Sequence, residues 1–402
     1  MKLAIFDDNP AYFYPVSLTR SVGDIRCGIL KLRQRLQALL FGEEEIIFVD
    51  NALEAMYLER HPDWLINSAQ GDTLFVNSQL KTNLEIIAKI KDLKVNQGIL
   101  DKTGAIIAFR QNLTKPVVSI SELAELIKGS EMRTVDAALY QNMADIIMDN
   151  ARLIEFDFEH FFQDAENYIE TEMGVTLLNP YKVWIGEGAV LKPGVVIDAS
   201  TGPVIIDEKA EIMSHAVIMG PAYIGKNSKI KVGAKIYGGT SIGPVCKVGG
   251  EVEGSIIQAY SNKQHDGFLG HAYLGEWVNL GADTNNSDLK NNYKPVAFYS
   301  YAAKAKIESG YQFLGSIIAD HTKTGINCSL NTGVVIGAGC NIWGCVLISD
   351  YIPSFSWGEA DKLTTYKLEA FIETAKIVKQ RRNLNISEAD IELFKAIWQS
   401  EQ

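Results

Sequence analysis

An α/β domain, followed by a parallel β-helix and a helical tail, is the fold class that this chain of 402 residues predicts. Three observations carry that expectation. Aliphatic residues recur at a strict spacing of six from Ile206 through Ile212, Ile218, Ile224, Ile230, Ile236 and Ile242 to Val248. A 3.6-residue period drifts out of phase with six, and a period of two would demand more apolar positions, so the spacing belongs to a hexapeptide solenoid. Small residues stand four places after most of these aliphatics, at Ala210, Ala216, Ala222, Ser228, Ala234, Thr240 and Cys246, where they suit the corners of a triangular coil. Upstream, short apolar runs alternate with amphipathic stretches. Downstream, the hexad gives way to helical spacing.

In chain order, Lys2 to Phe6, Ile46 to Val49, Leu74 to Val76 and Ala105 to Phe109 predict strands, and Ile29 to Leu40 and Leu84 to Leu93 predict helices. Together they predict a mainly parallel sheet. Ser121 to Asn150 reads as helical, and a domain of residues 1–175 is expected to end in a helical linker. The β-helix is expected over 176–347, starting at Ile185, Leu191 and Ile197 with an offset through Thr201-Gly202-Pro203. Two interruptions break its register: Gly254 to Asp266, where two extra residues are expected to loop out, and Asp283 to Gln312. Function on a solenoid sits on such insertions, because stacking fixes the wall positions. The tail, 348–402, shows one helical face at Leu368, Phe371, Ile372, Ala375 and Val378, and Ser387-x-x-Asp390 opens a last helix.

The net charge of -11 argues against a generic nucleic-acid surface, which needs a basic face. No run of 18 apolar residues suggests a membrane span, and Met1 to Phe6 reads as a strand rather than a signal peptide, so a cytoplasmic protein with no membrane partner is expected. Cys246, Cys328 and Cys340 fall on small-residue positions and no CxxC pair occurs, which predicts buried fillers rather than disulfides or metal ligands. Of six histidines, His61, His160, His215, His271 and His321 have ordinary structural readings. His265 stands where the register slips, and its chemistry suits a general base near neutral pH.

The run His265-Asp266-Gly267-Phe268-Leu269-Gly270-His271-Ala272-Tyr273-Leu274-Gly275-Glu276-Trp277-Val278-Asn279-Leu280-Gly281-Ala282 resembles the acetyltransferase half of the bifunctional UDP-N-acetylglucosamine pyrophosphorylase/glucosamine-1-phosphate acetyltransferases and their archaeal relatives. The likeness is strong over residues 180 to 345 and weaker before them. It implies a nucleotidyltransferase-like α/β domain joined to a left-handed β-helix that forms a homotrimer. It also implies N-acetyl transfer from acetyl-CoA to an amino-sugar phosphate. By the same likeness His265 falls on the catalytic base, and Glu251, Phe268, Asn279 and Lys294 fall on substrate-binding positions, Phe268 standing where the family carries a Tyr. Asp288 takes the place of an Asn that positions the base, and Ala282 and Ser316 fall where acetyl-CoA is met. Glu253 stands where a phosphate-binding Lys is expected, with Lys231, Lys235 or Lys263 as compensating cations.

At the N-terminus, Leu3-Ala4-Ile5-Phe6-Asp7-Asp8-Asn9-Pro10 lacks the glycine-rich loop that holds a triphosphate in sugar nucleotidyltransferases, although Tyr14 to Gly28 still resembles the stretch C-terminal to that loop. In Phe75-Val76-Asn77-Ser78-Gln79 an Asn stands where the family has a metal-binding Asp, and an amide is a poorer Mg²⁺ ligand than a carboxylate. Arg20 and Arg26 are the candidates to clamp a nucleotide such as UTP, and Asp7 or Asp8 to hold Mg²⁺. A sugar-1-phosphate nucleotidyltransferase and a non-catalytic trimeric binding protein are the alternative readings.

Overall fold

A computed structural model describes residues 1–42, 45–169 and 173–401. Seven strands form the first sheet: β1 (Lys2–Phe6), β2 (Ile46–Phe48), β3 (Leu65–Ile66), β4 (Ala69–Asn77), β5 (Gln97–Leu100), β6 (Ile106–Val117) and β7 (Glu131–Thr134). Their order is β3-β2-β1-β4-β6-β5-β7. The centre is parallel as expected, but β6 runs antiparallel to both β4 and β5, so the sheet is mixed. Helices α1 (Leu32–Leu40), α2 (Asn51–Arg60), α3 (Leu84–Lys91), α4 (Leu123–Leu126) and α5 (Met143–Asp157) accompany it.

The expectation of helix from Ser121 to Asn150 is corrected. Only Leu123–Leu126 and the start of α5 are α-helical there, and Glu131–Thr134 pairs with β5 instead. Asn142 then starts α5 by accepting from the Asp145 N–H, the usual side-chain cap for orphan amide groups.

Residues 176–352 coil into a left-handed parallel β-helix whose walls are sheets of nine, six and five strands. The eight hexad aliphatics from Ile206 to Val248 all point inward and are fully buried or nearly so. Stacking gives them their column: Ile206, Ile224, Ile242, Ile257, Leu274, Ile318 and Ile336 follow one another in register on the nine-strand face.

The first slip turns out to be a shortening. Val252 stacks on Ile236, Ile257 on Ile242 and Lys263 on Val248, so no loop emerges between Gly254 and Asp266. Two corners close on fewer residues, and each holds a glycine in the left-handed region, Gly250 at φ +71° and Gly254 at +55°. Leu269, not Phe268, is the inward residue of the next strand, and Phe268 faces outward. The second interruption is a true insertion: it carries an antiparallel hairpin, Ala297–Ser300 with Ala305–Glu308.

Two assemblies lock onto the solenoid. The segment from Val16 to Ile29 is buried against the outer side of the nine-strand face. There the Arg26 N–H donates to Gln258 Oε1, Gln258 Nε2 donates to Asp24 O, and Ser241 Oγ donates to Gly28 O. On the next corner, α6 (Leu368–Gln380) and α7 (Glu388–Ser400) bury Phe371, Phe394 and Ile397 together with Leu53, Met56 and Tyr57 of α2. Ser387 caps α7 by accepting from the Asp390 N–H, as its sequence predicts.

His321 sits at that second joint, 3% exposed, with its ring 5.7 Å from Phe371 and 5.2 Å from Phe394. Burial, then Lys323 and Lys379, hold its pKa well below the ordinary 6.5. The unfolded chain therefore binds a proton that the native chain refuses, and stability falls as pH drops below 6.5. The expected slope is about 1.4 kcal/mol per pH unit from this residue. Urea melts of His321→Leu compared with the natural chain at pH 7 and pH 5.5 check this, and the variant should show a shallower loss.

Candidate functional site at a corner of the β-helix

His265 lies in the loop between the five-strand and six-strand faces. Its side chain is solvent-exposed and its ring has no partner among the described residues. Only its backbone is engaged, the carbonyl accepting from Lys263 Nζ at 2.7 Å. The fold therefore gives His265 no group that would fix a tautomer or aim a nitrogen.

The histidine that the fold does equip is six residues on. His271 turns the corner between the six-strand and nine-strand faces, with Nδ1 2.8 Å from Asp288 Oδ2 and side-chain exposures of 20% and 14%. A carboxylate only accepts, so Nδ1 carries the hydrogen and Nε2 of the neutral ring is left as the acceptor. Two glycines make the room. A Cβ on Gly254 would lie 2.8 Å from Cδ2 and 2.9 Å from Nε2 of His271, and one on Gly270 would collide with Asp288 Oδ2. Phe313 backs the ring at 5.0 Å. Beside it opens a cavity of about 300 Å³, walled by Ile147, Met148 and Ala151 of α5 and by Pro221, Glu253 and Gly254 of the solenoid. A histidine oriented by a carboxylate at the edge of such a cavity is equipped to accept a proton from a bound nucleophile. Spacing alone misses His271 because a turn position is explanation enough for it. The available signal is Asp288, placed one coil further along.

The other residues expected at the site scatter over the coil. Glu251 and Phe268 are register partners on the outer side of the six-strand face, where the Phe268 N–H donates to Asn285 Oδ1. Lys263 occupies an inward position and is 2% exposed. Asn279 belongs to the five-strand face, in line with Asn262 and Lys323, and is not brought to His271. Lys294 is exposed on the inserted segment. Ala282 lies at the corner of the five-strand and six-strand faces. Ser316 begins a nine-strand-face coil, fully buried, with an unpartnered Oγ. The structure thus keeps Asp288 with a histidine, and that histidine is His271 rather than His265.

Burial pushes the Lys263 ammonium down to about 8. Its proton is lost in the native chain before it is lost in the unfolded one, so stability should rise as pH climbs from about 8 towards 10.5. Lys323, also held at about 8 by burial, adds a similar contribution. Each amounts to something on the order of 1–3 kcal/mol, and Lys263→Met should remove roughly half of the rise seen in denaturant melts between pH 8 and 10.

The nucleotide and metal candidates have structural employment. Arg20 is 5% exposed and ion-paired with Asp320, and with Glu276 at 3.2 Å, while Thr19 Oγ1 donates to Asp320 at 2.8 Å. Arg26 is buried, donating to the Ile29 carbonyl with its guanidinium 5.3 Å from the Tyr223 ring centroid. Neither is aimed at open solvent, because the segment that would cradle a triphosphate is used to dock on the β-helix.

Asp7 accepts from Ser21 Oγ, Ser78 Oγ and the Val22 and Gly23 N–H groups, and burial raises its pKa to about 6. Both its oxygens are engaged by protein donors, and Asn77 is likewise tied to Ile106 O and to the Gln79 N–H. Asp8 Oδ1 accepts from Asn9. Among the described residues no group of three His, Cys, Asp or Glu could hold a metal ion. The donor set does not fit Mg²⁺, and no step is assigned to it.

Fold and corner together define a nucleotidyltransferase-like α/β domain fused to an acyltransferase-like hexapeptide β-helix. Residues 3–166 match the family described as sugar nucleotidyl transferase. The resemblance to the bifunctional nucleotidyltransferase/acetyltransferases is borne out across most of the chain. The bifunctional protein GlmU of Methanococcus aeolicus is 28% identical over 341 residues, 77% of this chain and 78% of that one. The bifunctional sugar-1-phosphate nucleotidylyltransferase/acetyltransferase of Sulfurisphaera tokodaii is 28% identical over 312 residues, 70% and 74%. Against the GlmU of Synechococcus elongatus the match is 28% over 239 residues and spans only 49% of that relative. A crystal structure of a UDP-N-acetylglucosamine acyltransferase aligns at 16% identity over 58% of this chain and 82% of that one, with a TM-score of 0.32. No helix among the described residues is long and apolar enough to cross a membrane.

Proposed function

We propose that the chain transfers an acetyl group from acetyl-CoA to the amino group of a glucosamine-1-phosphate-like sugar, with His271 as the general base. The observation that carries this reading is the His271–Asp288 pair at the mouth of a cavity. The names of the bifunctional relatives support it. His271 Nε2 takes a proton from the amine as the nitrogen attacks the thioester carbonyl. Asp288 keeps the ring in the right tautomer and stabilises the imidazolium that forms. The C–S bond breaks, coenzyme A leaves as the thiol after protonation, and an amide remains. Glu253, exposed beside the cavity, is placed to accept hydrogen bonds from the acceptor's hydroxyl or amino groups. The test is coenzyme A release from acetyl-CoA with and without glucosamine 1-phosphate. Release that does not depend on the amino sugar would remove the assignment. A homotrimer is part of the same reading, and sedimentation equilibrium that returned a monomer would contradict it.

The match of residues 3–166 to sugar nucleotidyl transferases supports a second reading, formation of an NDP-sugar from an NTP and a sugar 1-phosphate. Pyrophosphate release with UTP and N-acetylglucosamine 1-phosphate tests it. The burial of Arg20 and of both Asp7 oxygens means that such an activity would have to use other residues of that domain.

A further inference from the structure

A second cavity, of about 340 Å³, opens at a different corner, between the five-strand face and the C-terminal end of α6. Lys247, Lys323, Arg381 and Arg382 line it, and no carboxylate does. None of the four is ion-paired among the described residues, in a chain whose net charge is -11. Burial pulls the Lys323 ammonium down to about 8, and burial with Arg382 and two nearby lysines lowers that of Lys247. Four cations held together without an acid destabilise one another, and a structural role would be served better by a salt bridge.

One wall is aromatic. Tyr260 and Trp277 stack at 4.5 Å with 10° between their planes, the indole buried and the phenol half-buried, so that Tyr260 is the ring offered to a ligand. Asn262 and Asn279 are hydrogen-bonded to each other beside it, and Arg382 Nη2 donates to Asn262 Oδ1 at 3.2 Å, which draws the turn between α6 and α7 into the wall.

We propose that this cavity is a binding site for a nucleoside phosphate, whose base lies on Tyr260 and whose phosphates are held by Lys247, Lys323, Arg381 and Arg382. Guanidinium and ammonium groups supply charge-assisted bonds to phosphate oxygens, and a base on an aromatic ring adds affinity with little sequence preference. Of these two amides, Asn279 Nδ2 is the donor left to meet a ribose or base edge. The site shares no lining residue with the His271 corner, so it does not depend on acetyl transfer being correct.

Calorimetric titration of the full chain with ADP, UDP, CoA and inorganic pyrophosphate tests the assignment. The nucleoside-bearing ligands should bind roughly tenfold tighter than pyrophosphate, consistent with one stacked base. Tyr260→Ala should bring them down to the pyrophosphate level, whereas Tyr260→Phe keeps the ring and the affinity. Arg382→Gln should weaken all four ligands about tenfold and flatten their salt dependence. ADP binding tighter than UDP, or the reverse, supports the site and says which nucleoside supplies the phosphate. CoA binding that Tyr260→Ala weakens as it weakens ADP binding supports it too and says that a pantetheine arm is accommodated. No binding at about 1 mM, which would put affinity below roughly 4 kcal/mol, overturns the proposal. So does pyrophosphate matching the nucleotides, or affinity untouched by Arg382→Gln and Tyr260→Ala.

Discussion

Asp157→Ala is expected to lower the stability of the native chain by about 3–5 kcal/mol, the range for leaving one partner of a buried ion pair alone. Asp157 ends α5 with no exposure, and it receives Arg35 at 2.6 and 2.7 Å through both carboxylate oxygens. The same carboxylate accepts from the Ile29 and Leu30 N–H groups at 2.9 and 3.1 Å. Truncation would strand a guanidinium that is itself 0% exposed, together with two backbone donors. The loop it holds is the one docked on the β-helix, where the Gly28 N–H donates to Asn150 Oδ1 and Gly28 O accepts from Ser241. Loss of Asp157 should therefore loosen the joint between the two halves as well as α5. Guanidinium melts would show it as a fall in midpoint. The pair variant Arg35→Met with Asp157→Leu should cost less than Asp157→Ala, because it removes the stranded charge. A loss below about 1 kcal/mol for Asp157→Ala, in the range of an exposed pair, would contradict this expectation.

His271→Ala is expected to lower kcat for acetyl transfer by about 10²–10⁴-fold, the usual worth of a positioned general base. Asp288→Asn should keep the packing and an amide oxygen to accept from Nδ1–H but lose the charge that stabilises the imidazolium, and should retain intermediate activity with a smaller change in KM than in kcat. Gly254→Ala offers a structural control, since its Cβ would press on the His271 ring within 3 Å. His265→Ala should leave the rate within a few-fold of the natural chain, its ring having no partner among the described residues.

The contrast between His265 and His271 shows where sequence reasoning stops. The hexad column from Ile206 to Val248 is legible because stacking allows only an inward aliphatic there, and all eight are buried. The strands β1, β2, β4 and β6 and the capped last helix are legible for similar local reasons. The register slip is visible in the sequence but its sign is not. Counting on Phe268 gives two extra residues, whereas the inward residue is Leu269 and the corners at Gly250 and Gly254 are short. That shortening aligns Lys263 with Val248 and leaves His265 exposed. A pairing such as His271 with Asp288 depends on which residues stack across a coil, and that emerges only once the register is right. The burial of Arg20 and Arg26 is illegible because it depends on Asp320, Glu276, Gln258 and Tyr223, which lie more than 190 residues away in the chain.

A carboxylate-held histidine at the corner of the β-helix, serving acetyl transfer to an amino sugar, is the centre of the functional proposal. Its most direct measurement is the initial rate of amide formation from acetyl-CoA and glucosamine 1-phosphate, taken side by side for the natural chain, His271→Ala and His265→Ala. The expected result is that His271→Ala loses about 10²-fold or more while His265→Ala keeps most of the rate. Full activity in His271→Ala, or loss confined to His265→Ala, would contradict it.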